Sequence, residues 1–332
     1  MGQRHHLIPR FYLKRWSVGG GAGLSAIRRS TGDVLSLSPK TAAVETDAYA
    51  VELPEEGKSY AFEKMLSQVE SDAALALANM LDSWPPLEKA RLSWSMLMAL
   101  QITRGRDFRD LQNTVADYFL KTQMALDSRD PAEMRERLRH AGLEATQENL
   151  DLMRDMMDHP DRYEFEMHPG ARLVAAAETA LELLPYLAGR TWSLAVLSEP
   201  LLITTDRPLT RHAERDSLPP FMGVGFATAD EVWMPLDSTR LLVMSHPGTD
   251  PIVGAVPPDK VESVNLRIAV ECHEWVFARA DNPQVEDIAN FLVGKPTPKI
   301  EIQGPTPAEW AASARRVAGK GRGRLLGRLF RR

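Results

Sequence analysis

Cysteine is almost absent. Cys272 is the only one in 332 residues. A single thiol excludes both a disulfide framework and a cysteine-rich metal site, and it fits a reducing, cytoplasmic setting. No run approaches the roughly 20 apolar residues of a membrane span. The basic N-terminus lacks the apolar core of a secretory signal. Catalytic signatures are missing too: there is no G-x-S-x-G, no H-E-x-x-H and no P-loop. The run Gly19-Gly20-Gly21-Ala22-Gly23 has the glycines of a phosphate cradle, but neither Lys-Ser/Thr nor a helical pattern follows it. It reads as a connector into a hairpin. What is present is ordinary for a globular chain: 44% apolar and 26% charged residues, in a length that suits one large domain or two smaller ones.

Charge is unevenly spread. The net charge of −5 combines a tail at 311–332 that carries eight basic residues and no acid with a body of 32 basic and 45 acidic residues. Arg315, Arg316, Lys320, Arg322, Arg324 and Arg328 make that tail a candidate contact for nucleic acid, an anionic membrane or a protein partner. The expected organisation is a single domain over 1–295, then a linker and flexible tail over 296–332 whose deletion leaves the melting temperature nearly unchanged.

The N-terminal run His5-His6-Leu7-Ile8-Pro9-Arg10-Phe11-Tyr12-Leu13-Lys14-Arg15-Trp16 places two histidines before an apolar, basic segment. Chain ends usually fray, but Phe11, Leu13 and Trp16 can dock this one as a short helix over 8–17, opened by Pro9. Strands are expected at 24–29 and 33–37 around Thr31-Gly32-Asp33. From Tyr60 to Met80 the period is helical, with Phe62, Met65, Leu66, Val69, Ala73, Leu77 and Met80 on one face. Glu63 and Glu70, seven apart, border that stripe, where a carboxylate either reaches water or needs a compensating partner. The helix over 87–103 is apolar nearly all round and is therefore buried. That makes Gln101 and Arg104 conspicuous, and pairing of Arg104 with Glu63 or Glu70 is the preferred reading. Arg106 and Asp107 read as surface ion pairs. Further helices are expected at 110–126, 131–141, 147–158 and 169–188. Short β-type runs follow at 192–197, 201–205, 232–236 and 240–244, then helices at 258–277 and 284–293. The fold class is α+β: a mainly helical body with one small antiparallel sheet formed mostly by residues 190–245.

Six motifs in order resemble the bacterial family named domain of unknown function 4238. They are HHLIPRFYL, FEKMLSQVE, QITR with Arg109 beyond it, ITTDRP, WMPL, and Asn265 on a late helix. Together they span roughly residues 3–280. The long basic tail and the arginine inside ITTDRP depart from the pattern. The resemblance implies a fold and a set of positions, and no activity.

The polar positions that recur are His5, His6, Glu63, Glu70, Gln101, Arg104 and Asp206. Histidine serves as general base near neutral pH, carboxylates with histidine hold a divalent metal, and arginine stabilises a developing anion. These are the parts of a metal-dependent hydrolase or nuclease, with His6, Glu63 and Glu70 as candidate ligands. Adjacent side chains point apart, so His5 and His6 have different jobs. HHLIP is similar to the histidine motif of HNH-type nucleases, but no strand pattern precedes it and no asparagine occurs before Asn79. The alternative is a non-enzymatic binding protein in which the polar set is a structural network and the tail carries the contact.

Overall fold

The computed structural model describes residues 2–20, 23–53, 57–213, 224–297, 304–310, 312 and 313. The basic-tail expectation falls almost wholly outside the described residues. The chain opens on a strand, β1 (Arg4–His6), turns at Pro9 into α1 (Arg10–Leu13), and tightens into a 3-10 turn over Lys14–Trp16. The Pro9 carbonyl accepts from the backbone N–H of Tyr12 and of Leu13, so proline starts the helix where its own missing N–H costs nothing. Strands β2 (Leu24–Arg28) and β3 (Val34–Leu37) form a hairpin that turns at Gly32, whose φ of 73° favours glycine. Next, β4 (Val44–Thr46) returns to pair antiparallel with β1, and β5 (Val51–Leu53) pairs with β6 (Gly57–Ser59).

Helices α2 (Ala61–Asp82) and α3 (Glu88–Thr103) follow, and α3 packs against both α2 and α7 (Pro169–Gly189). The buried face of α2 is Leu66, Ala73, Ala76, Leu77 and Met80, whereas Met65 is exposed. In α3 burial is nearly all round, including the polar Ser95, Gln101 and Thr103. Between α3 and α7 run α4 (Arg106–Leu126), α5 (Pro131–His140) and α6 (Gln147–Asp158).

Beyond α7 lie β7 (Thr191–Val196), β8 (Thr204–Thr205), β9 (Thr210–His212), β10 (Glu231–Pro235), β11 (Arg240–Ser245) and β12 (Val253–Ala255). The chain continues through α8 (Pro258–Val270), β13 (Trp275–Arg279) and α9 (Val285–Leu292).

The fold is α+β, and its strands divide among several sheets rather than one. A five-stranded sheet in the order β12-β7-β11-β10-β9 is antiparallel except for β12 against β7; a second runs β3-β2-β13-β8. The expected helix over 258–277 ends at Val270. Val276, Phe277 and Ala278 are buried in β13 between β2 and β8, and a continuous apolar run reads the same way in a buried strand as in a buried helix.

The described residues of Met1–Arg109 and Pro169–Lys299 form one compact unit, and those of Asp110–His168 and Ile300–Arg332 form another. In the second, Met134, Leu138, Leu150 and Met157 make a small core. Asp130 caps α5 and Thr146 caps α6. In the first, the N-terminal segment is anchored deep. Ile8, Leu13 and Trp16 are fully buried and Tyr12 nearly so, each such side chain worth about 1.5–3 kcal/mol of burial. The Tyr12 hydroxyl donates to the Pro235 carbonyl at 2.8 Å and shares a 2.8 Å bond with Thr204 Oγ1, and Trp16 Nε1 donates to the Leu202 carbonyl at 2.8 Å. No helix among the described residues is long and apolar enough to cross a membrane.

Candidate functional site

Pairing of β1 with β4 sets Arg4 opposite Thr46, His5 opposite Glu45 and His6 opposite Val44. Side chains alternate along a strand, so the two histidines part. His5 turns inward and is 1% exposed. Its ring stacks on Tyr49 at 5.5 Å and 12°, with Tyr60 edge-on at 5.6 Å. Its Nδ1 accepts the Tyr49 backbone N–H at 3.1 Å, which leaves the ring proton on Nε2. That Nε2 is buried and finds no partner among the described residues. His6 takes the other face. Burial lowers its pKa, while a hydrogen bond to the Lys40 main chain and the nearby Glu70 act in the opposite sense. Its Nε2 is also buried without a partner among the described residues.

The helical residues meet this strand. Gln101 Nε2 donates to the Leu7 carbonyl at 2.7 Å, which fastens the residue after the histidines to α3. Its Oε1 accepts from Arg104 Nε at 3.1 Å and from Nη2 at 2.6 Å. Arg104 closes α3 as its C-cap. Its side chain is 1% exposed, and Nη1 meets Glu70 Oε1 at 2.9 Å. Glu63 lies one heptad earlier on α2. Burial raises its pKa, His5 and Arg104 oppose the shift, and Glu70 adds to it. Tyr49 is buried beside the same charges, and burial pushes its phenol up to about 12. Its hydroxyl, too, lacks a partner among the described residues.

His5, His6, Glu63, Glu70, Gln101 and Arg104 are therefore gathered by contact or by electrostatic coupling. Asp206 takes no part in those contacts. It follows β8, and its two oxygens accept the backbone N–H groups of His273 at 2.8 Å, Glu274 at 2.7 Å and Trp275 at 3.0 Å. Burial raises its pKa against the pull of these three donors. The physical role visible here is a clamp on the start of β13. His6, Glu63 and Glu70 also do not form a ligand set. Glu70 is turned to Arg104, and among the described residues no group of three or more His, Cys, Asp or Glu side chains is placed to hold a metal ion.

A second polar cluster lies beyond Arg104. Glu45 accepts from Arg106 Nε at 3.1 Å and Arg109 Nη1 at 3.0 Å, and Arg106 Nη1 reaches Glu274 at 2.6 Å. Burial opposes the ionised form of Glu45, but hydrogen bonds from Arg109 and Arg106 hold its pKa below the usual range. Asp107 meets His273 Nδ1 at 3.0 Å and also pairs with Arg207, whose pKa burial pushes down to about 10. Sequence reasoning missed Tyr49, Glu45 and His273, and read Arg106 and Asp107 as surface pairs. The signal for Tyr49 was its place just after the strand that pairs with the histidines, which only a known register reveals.

The raised Glu63 pKa has a measurable consequence. The folded state keeps this proton to higher pH than the unfolded chain, so the associated stability is present below the ordinary glutamate pKa and is lost as pH rises through the folded value. Thermal melts should therefore show wild type losing more stability than Glu63→Gln across that rise. Parallel curves would mean that Glu63 is solvated like any surface glutamate.

The fold and site define an α+β protein with a partly buried His/Glu/Gln/Arg cluster between an N-terminal strand and two helices. A family model described as Protein of unknown function (DUF4238) matches residues 4–282, and the chain belongs to that family. No curated protein and no solved structure matches the chain.

Proposed function

We propose that the chain is a hydrolase whose reaction takes place at the His5/His6/Glu63/Glu70/Arg104 cluster. One observation carries this reading. His5 Nε2 and the Tyr49 hydroxyl are buried without partners among the described residues and both groups couple to Glu63, whose pKa burial raises, while His6 Nε2, also without such a partner, belongs to a ring that couples to Glu70. Buried polar groups are nearly always paired, and unpaired ones beside a titration-shifted acid suit a place where a substrate completes the bonding. Glu63 is the proton carrier in this reading, since a carboxylate shifted toward neutrality can both take and give a proton. His6, whose hydrogen bond to the Lys40 main chain leaves the Nε2 lone pair uncommitted, is the candidate base. Arg104 positions Glu70 and Gln101 and holds the strand to the helices.

The test is hydrolysis of chromogenic esters, anilides, phosphomonoesters and phosphodiesters, each with divalent cation and with chelator. Wild type should turn over at least one class. Glu63→Gln should lower that rate by about 10²–10⁴-fold, the usual contribution of an acid–base group. Turnover of the diester would make the enzyme a phosphodiesterase, the activity that the nuclease reading requires. Absence of turnover in every class would end the hydrolase reading.

The second reading is a binding protein, and the mutual satisfaction of Leu7, Gln101, Arg104 and Glu70 favours it. There the cluster is a structural tie, and the tail residues Arg315, Arg316, Lys320, Arg322, Arg324 and Arg328 contact an anionic partner. Salt-dependent nucleic-acid binding that disappears on removing 311–332 would support it.

A further inference from the structure

His5, Tyr49 and Glu63 present a particular bonding pattern. The Tyr49 N–H occupies His5 Nδ1, so Nε2 can only donate while that bond stands. Tyr49 is 2% exposed, and its neutral phenol supplies a second buried donor. A donor left unpaired in such a place costs about 1–3 kcal/mol, so both call for an acceptor. Glu63 couples electrostatically to His5 of β1, to Glu70 of its own helix and to Arg104 at the end of α3, and in its protonated form it is a third donor.

The charges narrow the ligand further. Arg104 is engaged by Glu70 and Gln101, and Arg109 by Glu45. Arg4 and Arg10 act on His6, on the other face of β1. Among the described residues the His5 corner therefore offers hydrogen-bond donors and one proton that can be shared, while the arginines named here are held by other partners or act on His6. A phosphate dianion would stay uncompensated there. A carboxylate brings one charge and two oxygens, and would form a charge-assisted O–H···O bond with Glu63.

We propose that the His5–Tyr49–Glu63 corner binds a carboxylate group, carried by the substrate or released as the product of acyl hydrolysis. As a statement of substrate class this rests on the hydrolase reading; as a binding site it stands separately.

The test titrates the full chain with acetate and, separately, with inorganic phosphate into the millimolar range. Binding is read from the imidazole NMR signals of His5, assigned with a His5→Gln variant. Acetate should shift those signals saturably, with affinity falling as pH rises through the Glu63 transition, and phosphate should not. Tyr49→Phe should weaken acetate by about tenfold, the loss of one buried hydrogen bond. The same variant should keep or raise the melting temperature, because it removes a hydroxyl that lacks a partner among the described residues. Tighter binding of phosphate than acetate, or no response to acetate, overturns the proposal. Turnover without acetate binding would leave the hydrolase reading standing and sink this one. Acetate binding without turnover of any class would do the reverse.

Discussion

Arg104→Leu should destabilise the protein by about 3–5 kcal/mol, the usual cost of breaking a buried ion pair from one side. The guanidinium is 1% exposed and makes three side-chain bonds, one to Glu70 and two to Gln101 Oε1. Leucine keeps much of the volume and supplies none of these. Glu70 loses its counter-charge, Gln101 loses both donors, and the Gln101 side chain that holds the Leu7 carbonyl is no longer fixed by the guanidinium. Arg104→Lys should cost less but should not restore the wild type, because an ammonium cannot reproduce the fork that spans Glu70 and Gln101. The chain has two compact units, so a single global transition is not assured, and the readout should be local. Cys272 provides one. Its thiol is fully buried, its pKa is pushed up to about 12, and Arg29 donates to Sγ at 3.3 Å. It should resist alkylation until the first unit opens. Urea-dependent alkylation of Cys272 should therefore shift to lower urea in Arg104→Leu. A change below about 1 kcal/mol, the range of exposed pairs, would show that water reaches the guanidinium.

The parts of this cluster that could be read in the sequence are those fixed by helical period. Glu63 and Glu70 share a side of α2 because seven residues make nearly two turns. Gln101 and Arg104 stand out because a polar residue at the end of an all-apolar helix must find partners. The opposite roles of His5 and His6 follow from strand alternation. What could not be read are contacts set by register between distant strands. Tyr49 reaches His5 only because β4 returns to β1, and His273 reaches Asp107 across 166 positions of chain. Asp206 was open to misreading for a related reason. An aspartate just past a strand has the same appearance whether it faces a substrate or caps a neighbouring backbone, and the difference lies in residues 273–275.

Asp206→Ala should then be among the most damaging single changes in the first unit. It would strip the acceptors from three consecutive N–H groups, those of His273, Glu274 and Trp275. At about 1–3 kcal/mol for each buried donor left unpaired, and with water reaching some of these part-buried groups, a loss of about 3 kcal/mol is expected. The damage should spread, because those residues also carry the Asp107–His273 and Arg106–Glu274 pairs. Asp206→Asn separates a clamp from a catalytic carboxylate. An amide keeps one oxygen acceptor but turns an N–H₂ toward N–H donors, so as a clamp it should fall between alanine and wild type in melting temperature. Activity should then follow the folded fraction. If Asp206→Asn melted like wild type and lost all turnover, Asp206 would belong to the chemistry, and the clamp would be secondary.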